Sequence, residues 1–338
     1  MSAGERMRAD MAAQPDVLRS LAARRDKLVE ALRGPAPVGV VIVARGSSDY
    51  AAIFGRYLIE AATGTPVALA APSLETLYGV RPRLEGWLAV AVSQSGRTPE
   101  IASVLERYAQ AGARTVAVTN DPSSPLAGMA SAALDLRAGD EGAVPATKTF
   151  TGQLAAMALI AESLGPVPWG DADWERLPGT VQQILADPDP AERTAQALGD
   201  ARELIVLGRG YLVCVALEAA LKLRESTGIR AEGWSAADFR HGPVTVARGH
   251  IPALAVSAAG PAAADVEDLA RRLEDGGTRV LRLADAVGAD LPYPGDLSEP
   301  LRAIPATVRA QQLALALALR RGLDPDEPPG LAKVTATS

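Results

Sequence analysis

A turn rich in hydroxyl and amide groups follows an apolar stretch near the end of the first third of the chain. The residues WLAVAVSQSGRTPEIASVLERY, 87 to 108, predict a strand, a turn and a helix. The turn has four side chains that could bind an anion: Ser93, Gln94, Ser95 and Thr98. Because the unpaired N–H groups and the dipole of a helix N-terminus favour negative charge, a phosphate is the first ligand to consider. Alternatively, Ser95 or Thr98 only caps the helix, since Pro99 and Glu100 follow as they do at ordinary helix starts.

A second group of chemically capable residues lies in VCVALEAALKLRESTG, residues 213 to 228, which predicts a largely apolar helix. Glu218, Lys222 and Glu225 stand at i, i+4 and i+7 and therefore share one face. Only four of the 34 basic residues are lysines, and lysine, unlike arginine, can become a neutral amine or form a Schiff base. This polar stripe predicts either an acid/base site or a solvent-exposed face with a weak Glu–Lys pair.

His241 is one of only two histidines in the chain. An imidazole can give and take protons at neutral pH, which suits it to acid/base catalysis. Gly242 and Pro243 follow it and predict a turn that presents the ring to solvent. A structural role remains the alternative for His241, and His250 is expected to be a surface residue.

The elements around these residues occur twice. In each half a strand, a Gly turn and a helix are followed by the same series, and the two Gly turns stand 50 positions apart: Gly46 and Gly96, then Gly210 and Gly260. Buried strands that alternate with amphipathic helices predict an α/β fold with a parallel sheet covered on both faces in each half. We expect a helix over about residues 16–33 and a connection between the halves over 166–196.

The two halves differ at the turn itself. Where the first half has SQSGRT, the second has SAAGPA, which lacks the amide and the threonine hydroxyl. This difference predicts one anion site, in the first half. GRG at 208–210 lacks the third glycine of a dinucleotide-binding turn, and the chain has no P-loop pattern, so no nucleotide cofactor is expected.

Composition narrows the classes of function. The chain has 338 residues, 48% hydrophobic and 22% charged, which fits two globular domains. A net charge of −6 argues against binding to nucleic acid or to an anionic membrane surface. Cys214 is the single cysteine, and no stretch approaches the ~18 apolar residues of a membrane span. The N-terminal residues contain no apolar signal segment, so a cytoplasmic protein is expected.

Several motifs in order identify a family resemblance. They are ARGSSDYAAIFGRYLIE, SQSGRTPEI, VPATKTFTGQL, LEAALKLRE, SAADFRHGP and LAKV. With them the chain resembles the double SIS (sugar isomerase) domain proteins over essentially its whole length. The resemblance is to the isomerase half of glucosamine-6-phosphate synthase and to the SIS-type glucosamine-6-phosphate deaminases. It implies two tandem SIS domains, residues 1–190 and 191–338, each a flavodoxin-like parallel sheet sandwiched by helices.

The resemblance also implies roles for individual residues. A sugar 6-phosphate would be held by Ser48, Ser93, Gln94, Ser95 and Thr98. Glu225 would move a proton between C1 and C2, with Glu218 and Lys222 beside it. His241 would open the sugar ring, and Lys333 matches a lysine that can form a Schiff base with the ketose phosphate. Further substrate-site positions are Gly46, Ser47, Val144 and Ala146. Because the family takes its histidine from a neighbouring subunit, a homodimer with a shared site is expected, without metal or other cofactor.

The departures from the synthase favour a deaminase. Ser2 and not a cysteine follows Met1, so we expect that the chain does not take ammonia from glutamine by itself. Arg45 and Ala146 look more like the stand-alone deaminases. The predicted reaction is glucosamine 6-phosphate to fructose 6-phosphate and ammonia, although Pro145 and Ala146 leave the sugar open. The alternatives are a synthase lacking its glutaminase domain, a fructosamine-6-phosphate deglycase, and a non-catalytic sugar-phosphate sensor.

Overall fold

The computed structural model describes residues 2–247, 249–331 and 333. These residues form fourteen α-helices and three short 3₁₀ helices, at Gly210–Leu212, Pro243–Val246 and Glu299–Arg302. The α-helices are Glu5–Ala12 (α1), Gln14–Ala23 (α2), Arg25–Leu32 (α3), Ser47–Thr63 (α4), Ser73–Thr76 (α5), Pro99–Gln110 (α6), Pro125–Met129 (α7), Lys148–Leu164 (α8), Asp171–Ala186 (α9), Asp189–Leu198 (α10), Val213–Thr227 (α11), Ala236–Arg240 (α12), Ala263–Asp275 (α13) and Ala303–Arg320 (α14).

The described residues also form ten β-strands, arranged in two five-stranded sheets. The strands are Val40–Val43 (β1), Val67–Leu69 (β2), Leu88–Val92 (β3), Arg114–Thr119 (β4), Ala132–Asp135 (β5), Glu203–Gly208 (β6), Arg230–Ser235 (β7), Ala253–Ser257 (β8), Val280–Ala284 (β9) and Leu291–Pro292 (β10). The first sheet has the order β2-β1-β3-β4-β5 and the second the order β10-β9-β8-β6-β7. Every pair of neighbouring strands is parallel.

Both sheets have the same topology. Numbered from its own first strand, each sheet has the strand order 2-1-3-4-5, which is that of the flavodoxin-like folds. The predicted pair of parallel sheets with flanking helices is therefore confirmed. The central strands are built from uninterrupted apolar runs, VVIV in β1 and LAVAV in β3, because a parallel sheet covered by helices is buried on both faces.

The chain divides into two compact units. The first-sheet unit consists of Asp16–Asp140 and Lys148–Gly170, and the second-sheet unit consists of the chain up to Pro15, Glu141–Thr147 and Asp171–Leu331. The N-terminal residues belong to the second-sheet unit because α1 packs against α9 and α14. Each unit is therefore built from segments that alternate along the sequence. The boundary at residue 190 between two tandem SIS domains stays a prediction.

Two segments differ from the prediction: the N-terminal helix is interrupted, and the connection between the halves is helical. The helix expected over residues 16–33 is interrupted at Arg24, whose side chain donates to the carbonyl oxygens of Ser20 and Asp135. The connection between the halves is largely helical, since α9 and most of α10 lie within it.

Each unit has its own buried helix. In the first-sheet unit, α8 packs along α4, and its residues from Lys148 to Ala161 are all buried. In the second-sheet unit, α11 packs against β6, β7 and α14, and most of the side chains of α14 are buried. The polar stripe predicted on α11 therefore lies on a helix that is packed against two strands and another helix.

Candidate active site

The first sheet brings together the two turns that the sequence analysis singled out. Strands β1 and β3 are neighbours, with Val43 opposite Ala91, although they are not consecutive in the chain. The turns that follow them therefore adjoin at the carboxyl edge of the sheet, where the strand order reverses. Open α/β sheets bind their ligands at such a switch point. The turn after β1 leads into α4 with Gly46, Ser47 and Ser48, and the turn after β3 leads into α6.

The turn between β3 and α6 leaves its hydroxyl groups largely uncommitted to helix capping. Thr98 occupies the N-cap position of α6, but its side chain makes no capping hydrogen bond. The Thr98 hydroxyl instead faces the Ser93 hydroxyl, with 3.5 Å between the oxygens. The Ser95 hydroxyl accepts from the backbone N–H of Arg97 at 3.2 Å. This geometry disfavours the capping alternative for Thr98 and leaves the ligand interpretation as a prediction.

Gly96 is required by the shape of this turn. Its φ of +60° lies in the left-handed region, which glycine adopts without strain. A Cβ atom at this position would also overlap Ser124 and come within 2.8 Å of Thr119 Oγ1. The close approach of the turn to the following loop is thus possible only with glycine.

Ser48 is buried at the start of α4 and accepts a hydrogen bond from Gln153 Nε2 on α8 at 2.9 Å. Since the amide uses a lone pair of the hydroxyl oxygen, the hydroxyl proton is available to a ligand oxygen. Gln153 belongs to the motif VPATKTFTGQL, but nothing in that motif predicts its contact with Ser48. Only packing of α4 against α8 places it beside Ser48.

The corresponding turn of the second sheet is filled by the protein's own carboxylates. The Ala259 N–H lies 2.9 and 3.1 Å from the two carboxylate oxygens of Asp285. A Cβ at Gly260 would lie 2.5 Å from Glu299 Oε1, so the Glu299 carboxylate lies against this turn. Arg302 bridges the turn by donating to Asp285 and to the Ala259 carbonyl oxygen. The single anion site in the first half stays a prediction.

The polar stripe on α11 is buried. The exposed side-chain fractions of Glu218 and Lys222 are both 1%, and that of Glu225 is 20%. Lys222 Nζ lies 3.5 Å from Glu218 Oε1 and donates to Glu225 Oε2. The alternative of a solvent-exposed face is therefore wrong, because α11 is covered by β7 and α14.

The charges of the stripe compensate one another. Burial by itself lowers the pKa of the Lys222 ammonium, but the carboxylates of Glu218 and Glu225 outweigh it, so the pKa of Lys222 is raised. Glu141, a further buried carboxylate, adds to this effect. Buried charges are tolerated when they are paired in this way, and a cationic Lys222 holds Glu225 in one orientation.

Glu141 begins the segment Glu141–Thr147, which clusters with the second sheet although its sequence neighbours belong to the first-sheet unit. The Glu141 carboxylate accepts from the backbone N–H of Thr147 at 2.6 Å and so closes the segment into a loop. The expected substrate-site residues Val144 and Ala146 lie in this loop and are partly exposed. Glu141 was not predicted from the sequence, because its proximity to Lys222 arises only from the tertiary fold.

The structure does not bring all the expected residues together. His241 is exposed at the end of α12, as its Gly-Pro turn predicts, and its backbone N–H donates to Asp238. Within the part of the chain that the structure describes, no hydrogen bond or ion pair joins His241 to the α11 stripe. Lys333 is exposed, and its neighbours 332 and 334–338, which include Val334 of the LAKV motif, lie outside the described residues.

The described part of the chain offers neither a cluster of metal ligands nor a membrane-spanning helix. Across residues 2–247, 249–331 and 333, no group of three His, Cys, Asp or Glu side chains is placed to hold a metal ion. No helix in that same part of the chain is both long enough and apolar enough to cross a bilayer.

Comparison with known proteins identifies relatives of the chain. The family profile described as SIS domain matches residues 39–163 and 197–293. The glutamine–fructose-6-phosphate aminotransferase (isomerizing) of Methanothermobacter thermautotrophicus is 33% identical over 310 residues, covering 87% of this chain and 51% of the relative. The chain thus spans about half the length of the curated relatives it matches.

Solved structures resemble the chain over nearly its full length. A protein of Silicibacter pomeroyi named as a phosphosugar isomerase is 32% identical with a TM-score of 0.86, covering 95% of this chain and 99% of that one. A glucosamine-6-phosphate deaminase of Thermotoga maritima has a TM-score of 0.76 at 23% identity, covering 95% and 99%. The second likeness concerns the fold alone.

Proposed function

Because the chain belongs to the SIS domain family of phosphosugar isomerases, we propose that it converts glucosamine 6-phosphate into fructose 6-phosphate and ammonia. The observation that carries this proposal is the buried Glu218–Lys222–Glu225 array. In it, the carboxylate that is best exposed, Glu225, is also the one to which the buried lysine donates. A carboxylate held in this way can accept a proton from a sugar carbon without turning away from it.

The proposed reaction proceeds through proton transfers. The phosphate binds where the turns after β1 and β3 meet, with Ser48, Ser93, Gln94, Ser95 and Thr98 as its ligands. His241 donates to the ring oxygen and opens the sugar, and Glu225 then takes the proton from C2 and delivers it to C1. The resulting imine of the ketose adds water and releases ammonia. These steps need no metal or redox group, and each acid or base contributes ~10²- to 10⁴-fold to the rate.

The proposed site is shared between two subunits. His241 is exposed, and its described contacts lie on its own turn and not on the α11 stripe. An exposed histidine can reach the Glu225 of a second copy of the chain, so a homodimer would complete the site. Lys333 would then act at the ketose carbonyl as a Schiff-base lysine, as the family resemblance implies.

Synthesis in the reverse direction is the second candidate. The curated relatives are glutamine–fructose-6-phosphate aminotransferases, although the chain spans only about half of their length. With ammonia supplied by a partner protein, the same residues would catalyse the synthesis of the aminosugar phosphate from the ketose phosphate.

The proposed function is tested with the purified protein and three substrates in parallel. These are glucosamine 6-phosphate, galactosamine 6-phosphate, and fructose 6-phosphate with ammonium. We expect ammonia and fructose 6-phosphate from the first. Ammonia from galactosamine 6-phosphate alone would mean that galactosamine 6-phosphate is the substrate. Binding of every compound without turnover would indicate a sensor.

A further inference from the structure

Arg45 joins the two turns that make up the proposed phosphate site. It lies in the turn after β1, and its Nε and Nη2 donate to the two carboxylate oxygens of Glu100 at 3.0 and 3.1 Å. Its Nη1 donates to the carbonyl oxygen of Ala44 at 3.1 Å. The Glu100 side chain is only 8% exposed, whereas that of Arg45 is 41% exposed. A two-point contact of this kind fixes both the distance and the angle between the two turns.

Both helices at this site carry a carboxylate in their first turn. Glu100 follows Pro99 at the start of α6, and Asp49 lies in the first turn of α4. Such carboxylates normally stabilise a helix by facing the positive end of its dipole. For a phosphate bound at the same helix ends, uncompensated carboxylates would have the opposite effect, because like charges repel.

The charge of Arg45 acts on both carboxylates. Arg45 pairs directly with Glu100, and its charge also favours the ionised form of Asp49, opposing the burial that raises the pKa of that carboxyl group. Each of the three guanidinium nitrogens donates one hydrogen bond to a protein oxygen, of Glu100 or of Ala44. The position of the guanidinium is therefore determined by the protein before any ligand binds.

We propose that Arg45 is a positioning residue of the phosphate site, which locks the two turns together and neutralises Glu100 so that a sugar phosphate dianion can bind. This inference rests on the proposed phosphate site and adds to it a residue that is not itself a phosphate ligand. It also explains why a buried Glu100 is compatible with an anion site only a few residues from Ser93 and Thr98.

The test measures binding of fructose 6-phosphate and of inorganic phosphate by calorimetry, for the wild type and five variants. The variants are Arg45→Met, Arg45→Lys, Glu100→Gln, the double variant of Arg45→Met with Glu100→Gln, and Arg56→Met. Arg56 is a matched control, because it forms an exposed ion pair with Glu60 on the same helix. Thermal unfolding of each variant checks that it is folded, and Arg45→Lys, which keeps the charge, serves if Arg45→Met does not fold.

If Arg45 neutralises Glu100, the variants should differ in ligand affinity in a specific order. Arg45→Met should weaken binding at least about tenfold, because it leaves a carboxylate uncompensated beside the ligand. Glu100→Gln should bind at least as tightly as the wild type, and the double variant should return to within about threefold of it. Arg45→Lys should show a smaller loss than Arg45→Met, and Arg56→Met should show none. With substrate, the loss should fall on KM, while kcat at saturation stays close to that of the wild type.

Different failures have different meanings. If Arg45→Met binds as well as the wild type, the inference is overturned while the phosphate site stands. If the double variant is as weak as Arg45→Met, Arg45 is a direct ligand and the neutralising role is wrong. If the wild type binds neither probe, the proposed phosphate site fails and the inference fails with it.

Discussion

Lys222 donates a hydrogen bond to Glu225 from a position that is almost completely enclosed in the protein. The same ammonium lies 3.5 Å from Glu218, one turn earlier on α11. Enclosure strengthens these attractions, because little water screens the charges. The buried Lys222 therefore holds the Glu225 carboxylate in one orientation. The Glu225 side chain is still 20% exposed.

Removing the cation from this array should destabilise the fold. Lys222→Met leaves Glu218 and Glu225 without their counter-ion, and a broken buried pair typically costs about 3–5 kcal/mol. We expect a loss of this size in the free energy of unfolding, measured by urea denaturation at neutral pH. Lys27→Met is the matched control, since Lys27 is exposed on α3, and it should change the stability little. A loss for Lys222→Met no larger than that control would contradict the pairing described for α11.

The same pair predicts how stability depends on alkaline pH. Because the pKa of Lys222 is raised in the folded protein, the stabilisation from its charge is complete below the ordinary value of 10.5 and is lost as the pH rises through the folded-state pKa. Between pH 9 and 12, the free energy of unfolding in urea should therefore fall more steeply with pH for the wild type and Lys27→Met than for Lys222→Met. Equal slopes for all three proteins would argue against a charged Lys222.

The hydroxyl groups of the first turn should determine phosphate affinity. Ser93→Ala and Thr98→Val each remove one donor to a charged ligand, which is worth about 1.5–3 kcal/mol, or roughly tenfold to a hundredfold in Kd. Calorimetry with fructose 6-phosphate measures this loss. Ser123→Ala provides the control, because Ser123 is exposed in the loop after β4 and its hydroxyl donates to Asp121. An unchanged Kd in both turn variants would mean that the phosphate binds elsewhere.

A site shared between subunits should be recoverable by mixing. His241→Asn and Glu225→Gln should each be inactive as pure proteins. After unfolding and refolding together in equal amounts, half of the dimers are mixed and each mixed dimer has one intact site, so activity should return to about a quarter of the wild-type value. A mixture that remains inactive while size-exclusion and labelling show mixed dimers would place His241 and Glu225 of one chain in the same site.

The sequence predicted the fold well because the relevant signals are local. Apolar strands, Gly turns and amphipathic helices recur with a spacing of 50 residues between turns, and this pattern is sufficient for two parallel sheets of one topology. The interruption at Arg24 was not predicted, since the side chain that marks it bonds to Asp135, 111 residues away.

The site was predicted less completely because burial is a tertiary property. Periodicity places Glu218, Lys222 and Glu225 on one face of a helix, but only the packing of α14 and β7 shows that this face is enclosed. Glu141 reaches the same cluster from a segment more than 70 residues earlier in the chain, and Arg45 meets Glu100 only because β1 and β3 are neighbours. No pattern within either segment carries this information.

The most direct test of the account compares the wild type with Glu225→Gln in a single assay of glucosamine 6-phosphate. Glutamine keeps the size of the side chain and an oxygen that can accept from Lys222, but it cannot take a proton from C2. The wild type should release ammonia and fructose 6-phosphate in equal amounts. The variant should bind the substrate with nearly unchanged affinity and turn it over ~10²- to 10⁴-fold more slowly, whereas Glu232→Gln, at an exposed position on β7, should match the wild type. Equal turnover by Glu225→Gln and the wild type would contradict the central claim.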